Sequence, residues 1–413
     1  MEDATTKPFT VSLARRNLLK VLVGSPLAGL AFVDAKAEKT PVFKVRATQD
    51  CGWNTFLRKG WSTDPKDISV NYEFLDHLHE AGLNWLFVFW THTPAFDEAW
   101  AKASQYAHSH GLQVARALYV FAGGDTDEEY QRGTRIMGEA NVPAHLLRMG
   151  VRGTKTALCP HDPETRDWVA KRLGKRVQPD IDGVLFEPPP DLSEHCVCEQ
   201  CQALSRLQLT VFMANFVTEH LKKAKPDLEV MLNVDATTSL RPGWRSKASR
   251  KDMAAAYRDL TSSIQYIFGW LTDMTGTDID NEASLIDWLD ADPRFQAYTR
   301  LSRVILFPDG KVPTQSVEER TAMAFRWARL AAERGKKAYS YDWRLFGGRE
   351  WKGHDQATPA TRLSAGVPAS LALMGATLED PYLDEKGQRQ LLKKLRATAE
   401  WDLDDPASFY PGT

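Results

Sequence analysis

The chain has 413 residues, with 52 Lys and Arg against 54 Asp and Glu, a formal net charge of −2 and 13 tryptophans. That length allows one large domain of barrel size or two smaller ones. The near-neutral balance, with no Lys/Arg cluster interleaved with aromatics, argues against nucleic acid or an anionic membrane as a partner. The tryptophans suit either a large core or a cleft lined for the apolar faces of sugars.

Residues 1–37 read as an export signal. "SLARRNLLKVLVGSPLAGLAFVDAKA" places Arg15 and Arg16 before an apolar run from Val21 to Val33, then Ala35 and Ala37 in A-x-A spacing. The run is too short to span a bilayer. The arginine pair resembles a twin-arginine signal, departing from it at Ala14 and Leu18; an ordinary secretory signal is the alternative. Cleavage is expected after Ala37, giving a periplasmic or secreted protein with no integral membrane segment left.

From residue 40 to 413 short apolar runs alternate with helical patterns. The strands expected are 43–49 (FKVRATQ), 84–90 (NWLFVFW), 112–121 (LQVARALYVF), 182–187 (DGVLFE), 229–236 (EVMLNVDA), 264–271 (IQYIFGWL), 303–308 (RVILFP) and 337–343 (KAYSYDW). Between them lie amphipathic stretches such as "NYEFLDHLHEAG", "AWAKASQYAHSHG" and "VEERTAMAFRWARLAAERG", several of them stopped by Gly. Strands this apolar, separated by helices, are parallel and buried on both faces. Eight such units predict a single-domain (β/α)₈ TIM barrel closed by a C-terminal helix around "LLKKLRATAEWDL"; an open doubly wound sheet is the alternative. "ATQDCGWNTF" after the first strand lacks a Gly-rich phosphate loop, which argues against a nucleotide.

In such a barrel the C-terminal strand ends converge on one mouth. The polar residues expected there are Gln49, Asp50, Thr91, His92, Glu187, Asn233, Asp235, Asp273, Asp309 and Asp342, with Trp90, Trp270 and Trp343 beside them. Recurring carboxylates with neighbouring tryptophans suit acid/base chemistry on a carbohydrate. Such chemistry generally uses two carboxyl groups and requires no cofactor. Glu187 ends an apolar strand, where partial burial favours a carboxyl that keeps its proton. Asp342 and Asp235 are the candidates for its partner, with ion pairs to Arg344 or Arg241 as their structural alternative. His92, Trp90, Asn233, Trp270, Asp273 and Trp343 are the candidate substrate contacts.

Three of five cysteines, Cys196, Cys198 and Cys201, form C-x-C-x-x-C. Thiolates so spaced can wrap one structural Zn²⁺ if a fourth ligand is supplied. Cys159 and His161 in "ALCPHDP", or His195, are the candidates. Disulfides or free thiols are the alternatives; five cysteines cannot all pair, and Cys51 is left over in either scheme.

"ALCPHDPETRDWVAKRL" followed by "DGVLFEPPPDLSEHCVCEQC" resembles bacterial glycoside-hydrolase-like (β/α)₈ barrels of the hexosaminidase and glucuronidase type. Those proteins carry L-C-P-x-x-P-E-x-R, an Asp-Gly strand with an acidic end, and a C-x-C-x-x-C loop. The resemblance spans residues 157–201 and implies that Glu187 is catalytic or contacts sugar. Phe186 stands where family-20 hexosaminidases have the Asp of an Asp-Glu pair, and no D-x-x-D-x-D-x-E chitinase strand is present. The expected function is an exported hydrolase acting on a polysaccharide or oligosaccharide, with a carbohydrate substrate as its partner. A non-catalytic carbohydrate-binding barrel and a metal-dependent lyase or esterase are the alternatives.

Overall fold

A computed structural model of the chain describes residues 41–50, 69–88, 94–121, 142–150, 153, 155–177, 180–188, 195–234, 250–270, 282–300, 316–342 and 367–398. In chain order the strands are β1 (Val45–Asp50), β2 (Trp85–Val88), β3 (Gln113–Tyr119), β4 (Leu147–Met149), β5 (Lys155–Leu158), β6 (Gly183–Glu187), β7 (Glu229–Val234), β8 (Ile264–Trp270), β9 (Phe295–Arg300) and β10 (Ala338–Asp342). Eight of them close a parallel barrel in the order β1, β10, β9, β8, β7, β6, β3, β2. The antiparallel pair β4–β5 is inserted between the third and fourth barrel strands. The expected (β/α)₈ architecture is therefore the observed one.

Ten helices are described: α1 (Ser69–Glu80), α2 (Pro94–Ser109), α3 (Pro163–Arg176), α4 (Glu199–Gln202), α5 (Arg206–Ala224), α6 (Arg250–Tyr257), α7 (Glu282–Ala291), α8 (Val317–Glu333), α9 (Val367–Glu379) and α10 (Glu385–Thr398). Local sequence sets where two of the longest begin. Ser205 caps α5 and Ser316 caps α8, each through a reciprocal box with Gln208 or Glu319 three residues on. The closing helix α10 starts earlier than "LLKKLRATAEWDL" suggests.

Strand alternation divides the core in two. Val45, Ala47, Phe87, Ala115, Ala117, Leu185, Met231, Phe268 and Tyr298 fill the barrel interior. Their sequence neighbours, such as Val114, Val184, Phe186, Val230 and Leu232, pack outward in the helix-facing cluster. Small residues on β3 face larger ones on β2, β7 and β8, which lets the interior fill without a pore. The outer layer is tight enough to demand glycine at one strand position. A Cβ on Gly269 would lie 2.4 Å from the Trp288 ring, which stacks on Phe295 at 4.0 Å.

Seven of the eight expected strands match observed ones to within a few residues. The seventh does not. The strand between β8 and β10 is Phe295–Arg300, FQAYTR, paired on both sides, while 303–308 lies outside the described residues. Buried Gln296 explains why so polar a segment pairs well. Its side-chain Oε1 accepts from the backbone amides of Lys337 and Ala338 at 3.1 and 3.0 Å, and its carbonyl accepts from Trp288 Nε1 at 3.0 Å. Asp309, expected at the end of that strand, lies nine residues beyond it.

Residues 1–40 and 399–413 lie outside the described residues, so the export signal does too. No helix among the described residues is long and apolar enough to cross a membrane.

Candidate active site and cysteine cluster

The N-terminal end of the barrel is stitched by side chains. Asn84 accepts from Arg46 N and donates to Lys44 O, both at 2.8 Å. Asp182, just before β6, accepts from Val114 N at 2.8 Å, and its Oδ2 also meets His108 Nε2 at 2.8 Å. A cavity of about 320 Å³ opens at this end beside Lys44, Trp85, Glu229 and Tyr266. Burial pushes the Glu229 carboxyl up, opposed by Lys222 and Lys44. This cavity is at the far end of the strands from Glu187.

The C-terminal end is different. Glu187 is the last residue of β6 and only 5% exposed. It shares strand parity with interior Leu185, so it enters the barrel mouth rather than the helix layer. Asn233, 2% exposed and of the same parity as interior Met231, donates from Nδ2 to Glu187 Oε1. The fourth and fifth barrel strands thus hold this carboxylate between them. Asn233 Oδ1 has no hydrogen-bond partner among the described residues, and neither has Oγ of fully buried Ser340 on β10. Buried acceptors and hydroxyls left this way are costly unless water or a ligand meets them.

Of the other expected site residues, Asp342 ends β10 and Trp270 ends β8, so their backbones stand at the same end of the barrel as Glu187. Asp342 pairs in register with Gln49 and Arg300, and Trp270 with Tyr298. Asp235, Asp273, His92, Trp90, Thr91, Trp343 and Cys51 lie outside the described residues. Ser340 is an addition to the expected set. It lies between aromatic neighbours in "AYSYD", where period-two alternation turns it inward two residues before Asp342.

The cysteines converge. Sγ atoms of Cys159, Cys196, Cys198 and Cys201 all lie within 4.8 Å of one another. Cys159 Sγ is 3.5 Å from Cys198 Sγ and 3.8 Å from Cys201 Sγ. Cys159 directly follows β5, while the other three follow β6. The two segments are joined by a bridge between Gly150 and Cys196 and by Val197 N donating to Met149 O at 3.1 Å. Cys198 caps the short helix α4, its sulfur accepting from Cys201 N at 3.5 Å, and Cys196 Sγ accepts from Cys198 N at 3.4 Å. Hydrogen bonds from Cys196 and Cys201 hold the Cys159 thiol well below the ordinary range. The same sharing with Cys159, together with burial, pushes the Cys196 and Cys201 thiols up. Of Cys159, His161 and His195, Cys159 is the one that joins the three clustered cysteines. His161 instead stacks on Phe212 at 4.3 Å, and neither it nor buried His195 belongs to the cluster.

The architecture and the mouth geometry define a (β/α)₈ barrel with a buried carboxylate at the end of its fourth strand. No protein-family profile and no curated protein matches the chain. Among solved structures it superposes on a beta-N-acetylhexosaminidase with a TM-score of 0.51 at 11% identity, over 89% of this chain and 79% of that one. Eubacterium rectale Amy13B gives 0.46 at 9% identity, over 83% and 80%. A GH10 endoxylanase from a sugarcane soil metagenome gives 0.44 at 11%, over 81% and 97%. At such identities the likeness speaks to the fold.

Proposed function

We propose that the protein is an exported carbohydrate-active enzyme of glycoside-hydrolase type, with Glu187 as its general acid. One observation carries this reading: a carboxylate buried at the barrel mouth, oriented by Asn233 from the next strand. In the proposed reaction Glu187 gives its proton to the glycosidic oxygen as that oxygen leaves the anomeric carbon. A second carboxylate either attacks that carbon or takes a proton from the water that does. Asp342 is the first candidate, because β10 stands four strands from β6 around the barrel. The separation of the two carboxyl groups, about 5 Å or about 6.5–9.5 Å, would set retention or inversion of configuration. Asp235, one residue past the neighbouring strand β7, is the alternative. Asn233 Oδ1 and Ser340 Oγ offer buried polar positions for sugar hydroxyls, joined by His92, Trp90, Trp270, Asp273 and Trp343. The fold's likeness to a beta-N-acetylhexosaminidase supports a polysaccharide or oligosaccharide as the substrate.

The test is turnover of a panel of 4-nitrophenyl glycosides (hexosaminides, glucosides, xylosides and glucuronides) and of plant and algal oligosaccharides scored by new reducing ends. Glu187→Gln is expected to lower kcat by about 10²–10⁴-fold while sugar binding by calorimetry persists. Undiminished turnover in that variant overturns the assignment. Sugar binding without turnover by the wild-type protein would make the chain a binding barrel instead. The separate effects of Asp342→Asn and Asp235→Asn identify the second carboxylate. Export by residues 1–37 is tested with Arg15→Lys/Arg16→Lys. A twin-arginine signal then leaves the precursor inside the cell, and an ordinary secretory signal does not.

A further inference from the structure

We propose that Cys159, Cys196, Cys198 and Cys201 bind one zinc ion as a tetrathiolate, and that this ion clamps the β4–β5 hairpin to the segment leaving β6. The sulfur spacing is the first argument. Zn–S bonds of about 2.3 Å in a tetrahedron give sulfur–sulfur edges of about 3.8 Å. Cys159 Sγ lies 3.5 and 3.8 Å from Cys198 and Cys201, and no pair in the set exceeds 4.8 Å. These separations are close to the edge lengths of such a tetrahedron. One or two disulfides would need sulfurs paired at about 2.05 Å, whereas all four are free thiols gathered at one point.

The surrounding backbone supports the same reading. Two backbone amides, Cys198 N and Cys201 N, donate to sulfurs of the cluster. Such N–H···S bonds orient thiolates and spread their charge, the outer-shell support that metal ligands ordinarily have. Burial of Cys159, Cys196 and Cys201 would suit inert thiols as well. That bland account explains one buried cysteine at a time, whereas here chain segments 37 residues apart bring four sulfurs to one point.

The donor set also decides the ion's role. Four thiolates complete a tetrahedral zinc and leave no position for water or substrate, so the site is structural. It ties together pieces also joined by the Gly150–Cys196 bridge and the hydrogen bond from Val197 N to Met149 O. Cys159 leads directly into Asp162, which precedes α3, pairs with Arg148 of β4 at 2.9 Å and accepts from Thr165 Oγ1 at 2.7 Å. Cys196 to Cys201 run into α4 and then α5. This inference does not depend on the proposed hydrolase activity.

Metal analysis of the full-length purified protein is expected to find one zinc per chain. Exchange with cobalt should give the intense sulfur-to-cobalt charge-transfer absorption of a tetrahedral thiolate site. Cys159→Ala and Cys198→Ala should each lose the zinc, whereas Cys51→Ser should retain it. A strong chelator should lower the melting temperature of the wild-type protein, and added zinc should restore it. The cobalt spectrum reads the wild-type site directly, so a variant that fails to fold does not blunt the test. The proposal is overturned by metal-free protein with mass loss from disulfides, by stoichiometric iron, or by zinc that survives in Cys159→Ala.

Discussion

Two carboxylates bracket the same strand, and they are used in opposite ways. Asp182 stands just before β6 and turns its Oδ2 to the fold, meeting the Val114 amide and the His108 ring. Glu187 ends β6 and receives an amide hydrogen from Asn233, in a mouth where Asn233 Oδ1 and Ser340 Oγ have no hydrogen-bond partner among the described residues. Side-chain bonds to backbone close the N-terminal end of the barrel, as those of Asn84 also show. Unpartnered buried polar atoms occur among the described residues at both ends, Glu229 Oε1 by the N-terminal cavity and Asn233 Oδ1 and Ser340 Oγ at the mouth, but at the mouth Asn233 is also bonded to a buried carboxylate. Polar groups that fully pair with their own backbone read as stability, and oriented but unsaturated ones read as recognition.

Paired substitutions at the two ends test this contrast most sharply. Glu187→Gln should remove turnover by about 10²–10⁴-fold and leave the melting temperature close to that of the wild type. Asp182→Ala should do the reverse, costing about 1–2 kcal/mol in urea unfolding while kcat stays within about twofold. The contrast breaks if Asp182→Ala abolishes activity in protein that is still folded, or if Glu187→Gln chiefly unfolds the barrel. Asn233→Ala is the next smaller effect. It removes the group that orients Glu187, so kcat should fall by about 10-fold to 100-fold with a modest stability loss, measured on the best substrate of the panel. A change in KM alone would mean that Asn233 binds sugar without positioning the acid. Gln296→Ala, away from the mouth, should leave kcat unchanged. It strands the Lys337 and Ala338 amides and should cost about 1–3 kcal/mol, read from chemical denaturation.

The strands visible in the sequence were those whose residues are apolar on both faces. "DGVLFE" and "EVMLNV" declare themselves because interior and helix-facing positions are both hydrophobic, and that placed Glu187 and Asn233 at the mouth. FQAYTR did not, because Gln296 buries a polar side chain that pays its desolvation through bonds to the next strand, a partner no local pattern reveals. The more β-branched RVILFP drew the assignment instead and carried Asp309 with it. At the cysteine cluster the C-x-C-x-x-C run was legible, but its fourth member was one of three candidates. Cys159 was settled by the β4–β5 hairpin, which folds back on the segment after β6. Several side chains expected to complete the mouth, among them Asp235 and Trp343, lie outside the described residues.

Lys336, just ahead of β10 and also at the N-terminal end, gives the smallest effect and a check by pH. Its ammonium is 5% exposed as a residue and donates to Asp292 O at 3.1 Å. Burial lowers its pKa to about 8 against the ordinary 10.5, with Asp290 and Asp292 opposing the shift. Between those values the unfolded chain holds more protons than the folded one, so stability should rise with pH from about 8 toward 10, by at most about 1.4 kcal/mol per pH unit. Above about pH 10 the trend should reverse, because burial raises the pKa of Tyr257 and Tyr341 and only the unfolded chain then releases those protons readily. Urea unfolding of the wild type and of Lys336→Met across this window separates the two effects. The variant should lose the rise below pH 10 and keep the fall above it. A rise that persists without the lysine would show that its hydrogen bonds to backbone keep it charged, and that this end of the barrel satisfies even an ammonium.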